Sequence, residues 1–291
     1  MRAKGVASGS ILFLGGRGDF FEKYLEALDH WAGSGWNVAG YDWRGQGGSG
    51  RTHSAGLCHV DDFAIFLGDL AAYCADWRSV TPGPHFAIGH SMGGHILLRA
   101  AAEALVELDG VVLLSPMIGI RAGPLRGRTI HTLAAVGRVP ALRECPIWNG
   151  PASPAQGRIT SCPERHADKM WWKSVRPDLA RRGPTWGWLA AATRSIAELD
   201  RLLRQRAVGL PGLILSTATD PVIDSRAIRR VRPYLPCFEH RLIEDAGHEL
   251  LRERDTPRAE CMEHIARFLT ERLKDRSAPA ANGSAACLSR E

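Results

Sequence analysis

The residues of this 291-residue sequence that could do chemistry together fall at three places. The first is Gly89-His90-Ser91-Met92-Gly93. A glycine two residues to either side of a serine is the G-x-S-x-G spacing of a nucleophile elbow. A serine at the tip of so tight a turn sits at a strained backbone position. Side-chain bulk at either flanking position would collide with the adjoining strand or helix, and glycine removes the collision. The turn lifts the hydroxyl out of the sheet and aims a helix N-terminus at it, where partial positive charge favours an oxyanion. In a chain with 31 glycines the same five residues also arise as a plain Gly-Ser turn, so the pattern needs context. The second and third places supply it: Asp220 in Thr217-Ala-Thr-Asp220-Pro221, and His248 in Asp245-Ala-Gly-His248-Glu249. A serine needs a base to take its proton, and the base needs an acid to orient it. Serine, then acid, then histidine is the order expected when acid and base sit in loops after late strands.

Other residues compete for these roles. His90 and His95 flank Ser91, with side chains expected to point away from its hydroxyl. Asp224 shares the loop of Asp220 and could replace it as the acid. His240 and His264 read as structural, and Asp245 reads as a loop hydrogen-bonder. An oxyanion would be held by two backbone N–H groups. One belongs to Met92, directly after the nucleophile; the other, at Arg17, lies in the glycine-rich loop Gly15-Gly16-Arg17-Gly18. The Arg17 guanidinium is then free to meet an anionic substrate group or to pair with Asp19.

Such residues must be positioned by strand ends. Apolar runs predict strands at 9–14, 35–42, 85–89, 110–116, 212–216 and 237–243. Helical periodicity predicts helices at 20–32, 60–77, 92–106, 185–203 and 260–273. Strand and helix alternate, which implies an α/β fold with a mainly parallel sheet flanked by helices on both faces. The rhythm breaks at Met117. From there the chain is irregular, Arg-rich and punctuated by prolines, with helical pieces at 129–137 and 163–175. It is too long for an ordinary loop and reads as an inserted helical cap. The expected organisation is a core of 8–116 and 190–274, a cap of 117–189 and a disordered Ala/Ser/Pro/Gly tail of 275–291.

The chain is 45% hydrophobic and 23% charged, the composition of a soluble globular protein. No apolar run approaches a transmembrane length, and the N-terminus lacks the apolar core of a secretory signal. Seven cysteines, an odd number with no C-x-x-C pair, favour reduced thiols in a cytoplasmic setting and leave no metal-ligand cluster. The net charge of +6 is local: residues 121–182 hold twelve Lys and Arg against four Asp and Glu. That excess would suit phosphate headgroups or peripheral contact with an anionic membrane surface, or it is a solvated basic face without a role. No nucleic-acid-binding motif accompanies it. Met170, Trp171, Trp172, Trp186 and Trp188 line an acyl-chain pocket beneath the cap or pack the cap against the sheet. Of these, Met170, Trp186 and Trp188 are the candidate substrate contacts. Oligomeric state is open.

Gly89-His-Ser-Met-Gly-Gly94, Asp42-Trp-Arg-Gly-Gln-Gly-Gly-Ser49 and Gly15-Gly-Arg-Gly-Asp-Phe-Phe-Glu-Lys-Tyr24 resemble the α/β-hydrolases grouped as monoacylglycerol lipases and bacterial lysophospholipases. Pro163-Glu-Arg165, Gly183-Pro-Thr-Trp-Gly-Trp188 and His248-Glu-Leu-Leu-Arg-Glu-Arg-Asp255 resemble the lysophospholipase branch. The resemblance runs from about Ser10 to Leu273. It implies a cofactor-free serine hydrolase acting on a small lipid ester, with Ser91, Asp220 and His248 as the triad and the Arg17 and Met92 amides as oxyanion donors. The same fold also hosts small-ester carboxylesterases, aminopeptidase-like hydrolases and non-catalytic binding proteins; a peptidase would call for an acidic cluster, against which the basic segment argues. Two features depart from the wider group. The oxyanion loop has Gly15-Gly16 where many lipases have His-Gly, as is common in the lysophospholipase branch. Only nine residues precede Ser10 in the first strand, so the family's N-terminal β-hairpin is expected to be missing here or to lie upstream of Met1, with an exposed sheet edge as the consequence if it is missing.

Overall fold

Ile11-Leu12-Phe13-Leu14 offers water no polar side chain, and all four are buried in the middle of a sheet. The computed structural model describes residues 1–121, 127–148 and 159–277. Among these, six strands form one sheet: β1 (Gly9–Leu14), β2 (Trp36–Tyr41), β3 (His85–His90), β4 (Gly110–Leu114), β5 (Gly212–Ser216) and β6 (Phe238–Leu242). Their spatial order is β2-β1-β3-β4-β5-β6, and every neighbouring pair is parallel. The fold is therefore the α/β-hydrolase arrangement of a parallel sheet flanked by helices, as the sequence pattern predicts. The order reverses at β1 and β3. Loops leaving their carboxyl ends diverge there and open the crevice in which such sheets bind ligands.

Eight α-helices accompany the strands among the described residues: α1 (Leu25–Gly33), α2 (Ala64–Val80), α3 (Met92–Ala102), α4 (Gly127–Val136), α5 (Pro163–Val175), α6 (Trp186–Gln205), α7 (Ser225–Val231) and α8 (Asp255–Ser277). The period-2 alternation of the strands divides the core in two. Ile11, Phe13, Ile88, Val112 and Leu213 join α1 and α8 through Leu28, Trp31, Ile265 and Phe268. Leu12, Leu14, Ala87, Val111 and Ile214 face the other way, onto Phe66, Leu97, Leu199 and Ile228. A strand buried on both faces has no polar row to show, which explains the uninterrupted apolar runs.

Several boundaries differ from those that periodicity predicts. The helix expected from Phe20 opens as a 3-10 turn at Phe21–Tyr24. α2 starts at Ala64, where the Asp62 carboxylate accepts the Ala64 N–H at 2.8 Å. α3 stops at Ala102 because the chain turns through a left-handed Ala104 (φ 56°) and Leu105 N–H returns to the Ala100 carbonyl at 2.8 Å. α7 is not foreseen at all: its seven residues carry three arginines, and only Ala227, Ile228 and Val231 are buried. β2, at one end of the sheet order, exchanges hydrogen bonds through Val38 with Met1 at 2.6 and 2.9 Å. The expected tail at 275–291 lies outside the described residues beyond Ser277, where α8 ends. Cys58, Cys74, Cys145, Cys162 and Cys261 are free thiols.

Leu97 on α3 is fully buried, whereas Val6 is 97% exposed. Leu97→Ala should lower unfolding free energy by about 2–5 kcal/mol, and Val6→Ala should change it by less than about 0.5 kcal/mol. Urea denaturation followed by circular dichroism measures both.

Candidate active site

Ser91 is the single residue between β3 and α3. Its backbone takes φ 52° and ψ −114°, a region that costs a residue with a side chain about 1–3 kcal/mol. Three hydrogen bonds hold it there. Ser91 N–H donates to the Leu114 carbonyl at 2.9 Å, and the Ser91 carbonyl accepts from His95 and Met117, each at 3.0 Å. The flanking glycines are demanded by close backbone approach. A Cβ on Gly93 would stand 2.5 Å from the carbonyl oxygens of both Leu14 and Gly15, and one on Gly89 would stand 2.8 Å from the Gly93 backbone.

The two late loops converge on this serine. His248 Nε2 lies 2.9 Å from Ser91 Oγ, and His248 Nδ1 lies 2.7 Å from Asp220 Oδ2. The second Asp220 oxygen accepts the N–H groups of Val222 (2.8 Å) and Ile223 (3.0 Å). Asp220 is 1% exposed. Burial works against its ionised form, but the adjacent His248 and the backbone donors outweigh it and hold the carboxyl below the ordinary range. Thr217 Oγ1 donates to the Ala246 carbonyl at 2.8 Å, tying the loop of Asp220 to the loop of His248.

The competing residues lie elsewhere. His90 turns its Nδ1 toward the Tyr24 hydroxyl (3.0 Å) and donates from Nε2 to the His248 carbonyl (3.2 Å). His95 Nε2 meets Ser195 Oγ at 2.7 Å, and burial pushes its pKa down to about 3. Asp224 caps α7 by accepting the Arg226 N–H at 3.1 Å. His240 bonds Ser216 Oγ (2.8 Å) and His264 bonds Arg267 (2.9 Å). The Asp245 carbonyl accepts from Arg254 at 3.3 Å.

The loop after β1 packs against Ser91: a Cβ on Gly16 would stand 3.1 Å from Ser91 Cβ. Asp19 Oδ2 accepts the Gly16 N–H at 2.8 Å, and the Gln46 side-chain carbonyl accepts the Gly18 N–H. Arg17 is thus bracketed by two pinned amides. Its guanidinium does not pair with Asp19, which faces Lys23 (2.5 Å) and Tyr24 (2.7 Å). It lies instead over the Trp188 ring (5.3 Å to the centroid) and the Trp148 ring (5.8 Å), an arrangement that favours a cation electrostatically.

The predicted substrate contacts are dispersed. Trp188 is buried and packs on Phe63, with ring centroids 6.0 Å apart. Trp186 is half-buried at the head of α6. Met170 is 45% exposed on α5. A cavity of about 740 Å³ lies between the first 3-10 turn and α5, lined by Trp171, Trp172, Glu26, Arg165 and Arg252 among others; Ser91, Asp220 and His248 do not line it. Much of the basic segment is engaged internally. Arg165 pairs with Glu26 at 2.6 Å, Arg143 pairs with Asp61, and the buried Arg181 donates to the carbonyls of Gly45, Gly47 and Gly50 at 2.6–3.0 Å. Sequence reasoning missed a buried charge cluster beside the site, formed by Asp19, Lys23, Lys169 and Glu249. Its one local signal is the i,i+4 spacing of Asp19 and Lys23. Among the described residues no group of acidic, Cys and His side chains could hold a metal ion, and no helix is long and apolar enough to cross a membrane.

Comparison with known proteins places these residues in context. A family model described as serine aminopeptidase, S33, matches residues 5–255. The chain is 28% identical over 277 residues to lysophospholipase L2 of Escherichia coli K12, covering 89% of this chain and 79% of that protein. It is 30% identical over 227 residues to monoglyceride lipase of Mus musculus, covering 77% and 69%. Among solved structures, a soluble variant of monoglyceride lipase from Saccharomyces cerevisiae superposes with a TM-score of 0.73 at 20% identity, covering 91% of this chain and 88% of that one.

The close approach at the elbow has a measurable consequence. Gly93→Ala should destabilise the protein by at least about 1–3 kcal/mol through overpacking. Gly33→Ala, whose Cβ would meet nothing within 4 Å, should be neutral or stabilising at the end of α1. Scanning calorimetry of the two variants makes the comparison.

Proposed function

The chain belongs to the family described as serine aminopeptidase, S33, and on that premise we propose that it is a serine hydrolase cleaving the carboxylic ester of a single-chain lipid. The observation that carries this reading is the hydrogen-bonded chain Ser91 Oγ–His248–Asp220. Ser91 attacks the ester carbonyl while His248 Nε2 takes its proton. Asp220, held ionised, keeps Nδ1–H of the imidazole oriented and stabilises the imidazolium. The backbone N–H groups of Arg17 and Met92 receive the oxyanion, the latter from the first turn of α3. His248 then protonates the departing alcohol. A water, deprotonated by the same histidine, releases the fatty acid from Ser91. None of these steps calls for a cofactor.

The substrate class draws its support from the relatives, which are named as lysophospholipases and monoglyceride lipases. In this reading residues 117–189 form the cap that selects the acyl chain and head group. The ion pairs of Arg143 with Asp61 and of Arg165 with Glu26, and the burial of Arg181, leave fewer free cationic side chains for an anionic membrane surface.

The test is hydrolysis by the purified full chain of a 1-acyl lysophospholipid, a monoacylglycerol, a short nitrophenyl ester and an aminoacyl arylamide. One or both lipid esters should be cleaved, and Ser91→Ala should lower kcat by a factor on the order of 10⁶. Turnover of the short ester alone would remove the lipid assignment. Turnover of the arylamide would favour a peptidase, in keeping with the family's description. Equal labelling of wild type and Ser91→Ala by a fluorophosphonate probe would remove the nucleophile assignment.

A further inference from the structure

Beside the site, four oppositely charged side chains are buried in one chain. Lys23 Nζ donates to Asp19 Oδ1 at 2.5 Å and to Glu249 Oε1 at 2.6 Å, and Lys169 Nζ reaches the same Glu249 oxygen at 3.3 Å. No member has a side chain more than 9% exposed. They come from separate parts of the sequence: Asp19 from the loop after β1, Lys23 from the 3-10 turn, Lys169 from α5, and Glu249 from the position after His248.

Both ends of the chain lead to the reacting groups. Asp19 uses its other oxygen to hold the Gly16 N–H at 2.8 Å, next to Arg17. The Tyr24 hydroxyl sits between that oxygen (2.7 Å) and His90 Nδ1 (3.0 Å), and His90 Nε2 donates to the His248 carbonyl. Glu249 is joined to His248 by the backbone itself, and its N–H donates to the Ile159 carbonyl at 2.8 Å. The segment leading into α5 grips the same loop: Thr160 Oγ1 donates to the Arg252 carbonyl at 2.6 Å, and Ser161 Oγ donates to Glu253 at 2.6 Å.

Two buried carboxylates face two buried ammonium groups. Arg252 is a weaker contributor: its Nε is 3.5 Å from Glu249 Oε2, while its terminal nitrogens serve the Lys23 and Arg165 carbonyls and Asp168. Without Lys169, Asp19 and Glu249 would compete for Lys23. An uncompensated charge in so dry a place is costly, and the structure would shift to relieve it.

We propose that Lys169 is a positioning residue for ester hydrolysis: by neutralising Glu249 it leaves Lys23 to hold Asp19, and so fixes the Gly16–Arg17 loop and the backbone that carries His248. The proposal rests on the serine-hydrolase reading above. It also predicts a pH dependence. Lys169 faces Glu249 and Asp19, which favour its charge, and Lys23, its helix neighbour Lys173 and the Arg252–Asp168 pair nearby. Burial dominates and lowers its pKa to about 8. Lys169 is charged below that pH and neutral above it, so the pairing with Glu249, and with it the rate, should decline on the alkaline side.

The experiment compares wild type, Lys169→Met, Lys169→Arg and the double variant Lys169→Met/Glu249→Gln. The substrate is whichever ester wild type cleaves, and kcat and KM are measured between about pH 6 and 10. Lys169→Met should lose about ten- to a hundredfold in kcat, the scale of a sub-ångström misplacement, with KM within about threefold of wild type. The double variant should recover most of that loss, because the carboxylate left in excess is gone and Lys23 serves Asp19 alone. Lys169→Arg should keep kcat and lack the alkaline decline near pH 8, because guanidinium stays charged. An unchanged kcat in Lys169→Met, or a double variant no better than the single one, overturns the proposal and leaves the serine-hydrolase reading standing. A wild-type chain that cleaves no ester and takes up no fluorophosphonate overturns both.

Discussion

No side chain fits between the first turn of α3 and the end of β1. The Gly93 Cα presses so closely on the Leu14 and Gly15 carbonyls that a methyl group would overlap them. That contact brings Ser91 and the loop after β1 to one point, because Leu14 ends β1 and Ser91 immediately precedes α3. It also explains why the strained backbone of Ser91 persists. The helix that follows is locked to the neighbouring strand, and hydrogen bonds from His95 and Met117 close on the Ser91 carbonyl.

Parallel register does the rest of the positioning. β1 and β3 align Leu14 with Gly89, and β3, β4 and β5 end side by side, with His90 opposite Leu114 and Leu114 opposite Leu215. Every strand therefore delivers its following loop to the same edge of the sheet. Asp220 and His248 reach Ser91 from loops 28 residues apart in sequence because β5 and β6 are adjacent and point the same way. The loops of Asp220 and His248 share a wall through the Thr217–Ala246 hydrogen bond.

The sheet and the meeting place of Ser91, Asp220 and His248 were legible in the sequence because their signals are local. An apolar run four or five residues long can be a strand buried on both faces, and a glycine on either side of a serine marks a turn that tolerates no Cβ. α7 was illegible because its buried face is only three residues wide. The Asp19–Lys23–Glu249–Lys169 cluster was illegible for a different reason. Each member looks like an ordinary surface charge, and the Lys23–Glu249 contact joins positions 226 residues apart. Of the two partners open to Arg17 in the sequence, the structure does not show Asp19, for the same reason. Asp19, two residues away, is the obvious counter-ion in sequence, but its carboxylate turns inward to Lys23, and the guanidinium finds aromatic faces from Trp148 and Trp188 instead.

Arg181 closes the loop after β2 by donating to the carbonyls of Gly45, Gly47 and Gly50. That loop has glycine at four of its six positions from Gly45 to Gly50, and its local bonds, such as Gly48 N–H to the Asp42 carboxylate at 2.7 Å, come from the strand side. During synthesis it leaves the ribosome more than a hundred residues ahead of the arginine that organises it. The contour of this rim of the crevice is therefore tied to a residue that belongs to a distant stretch of the sequence, so a change near Arg181 is felt at the end of β2.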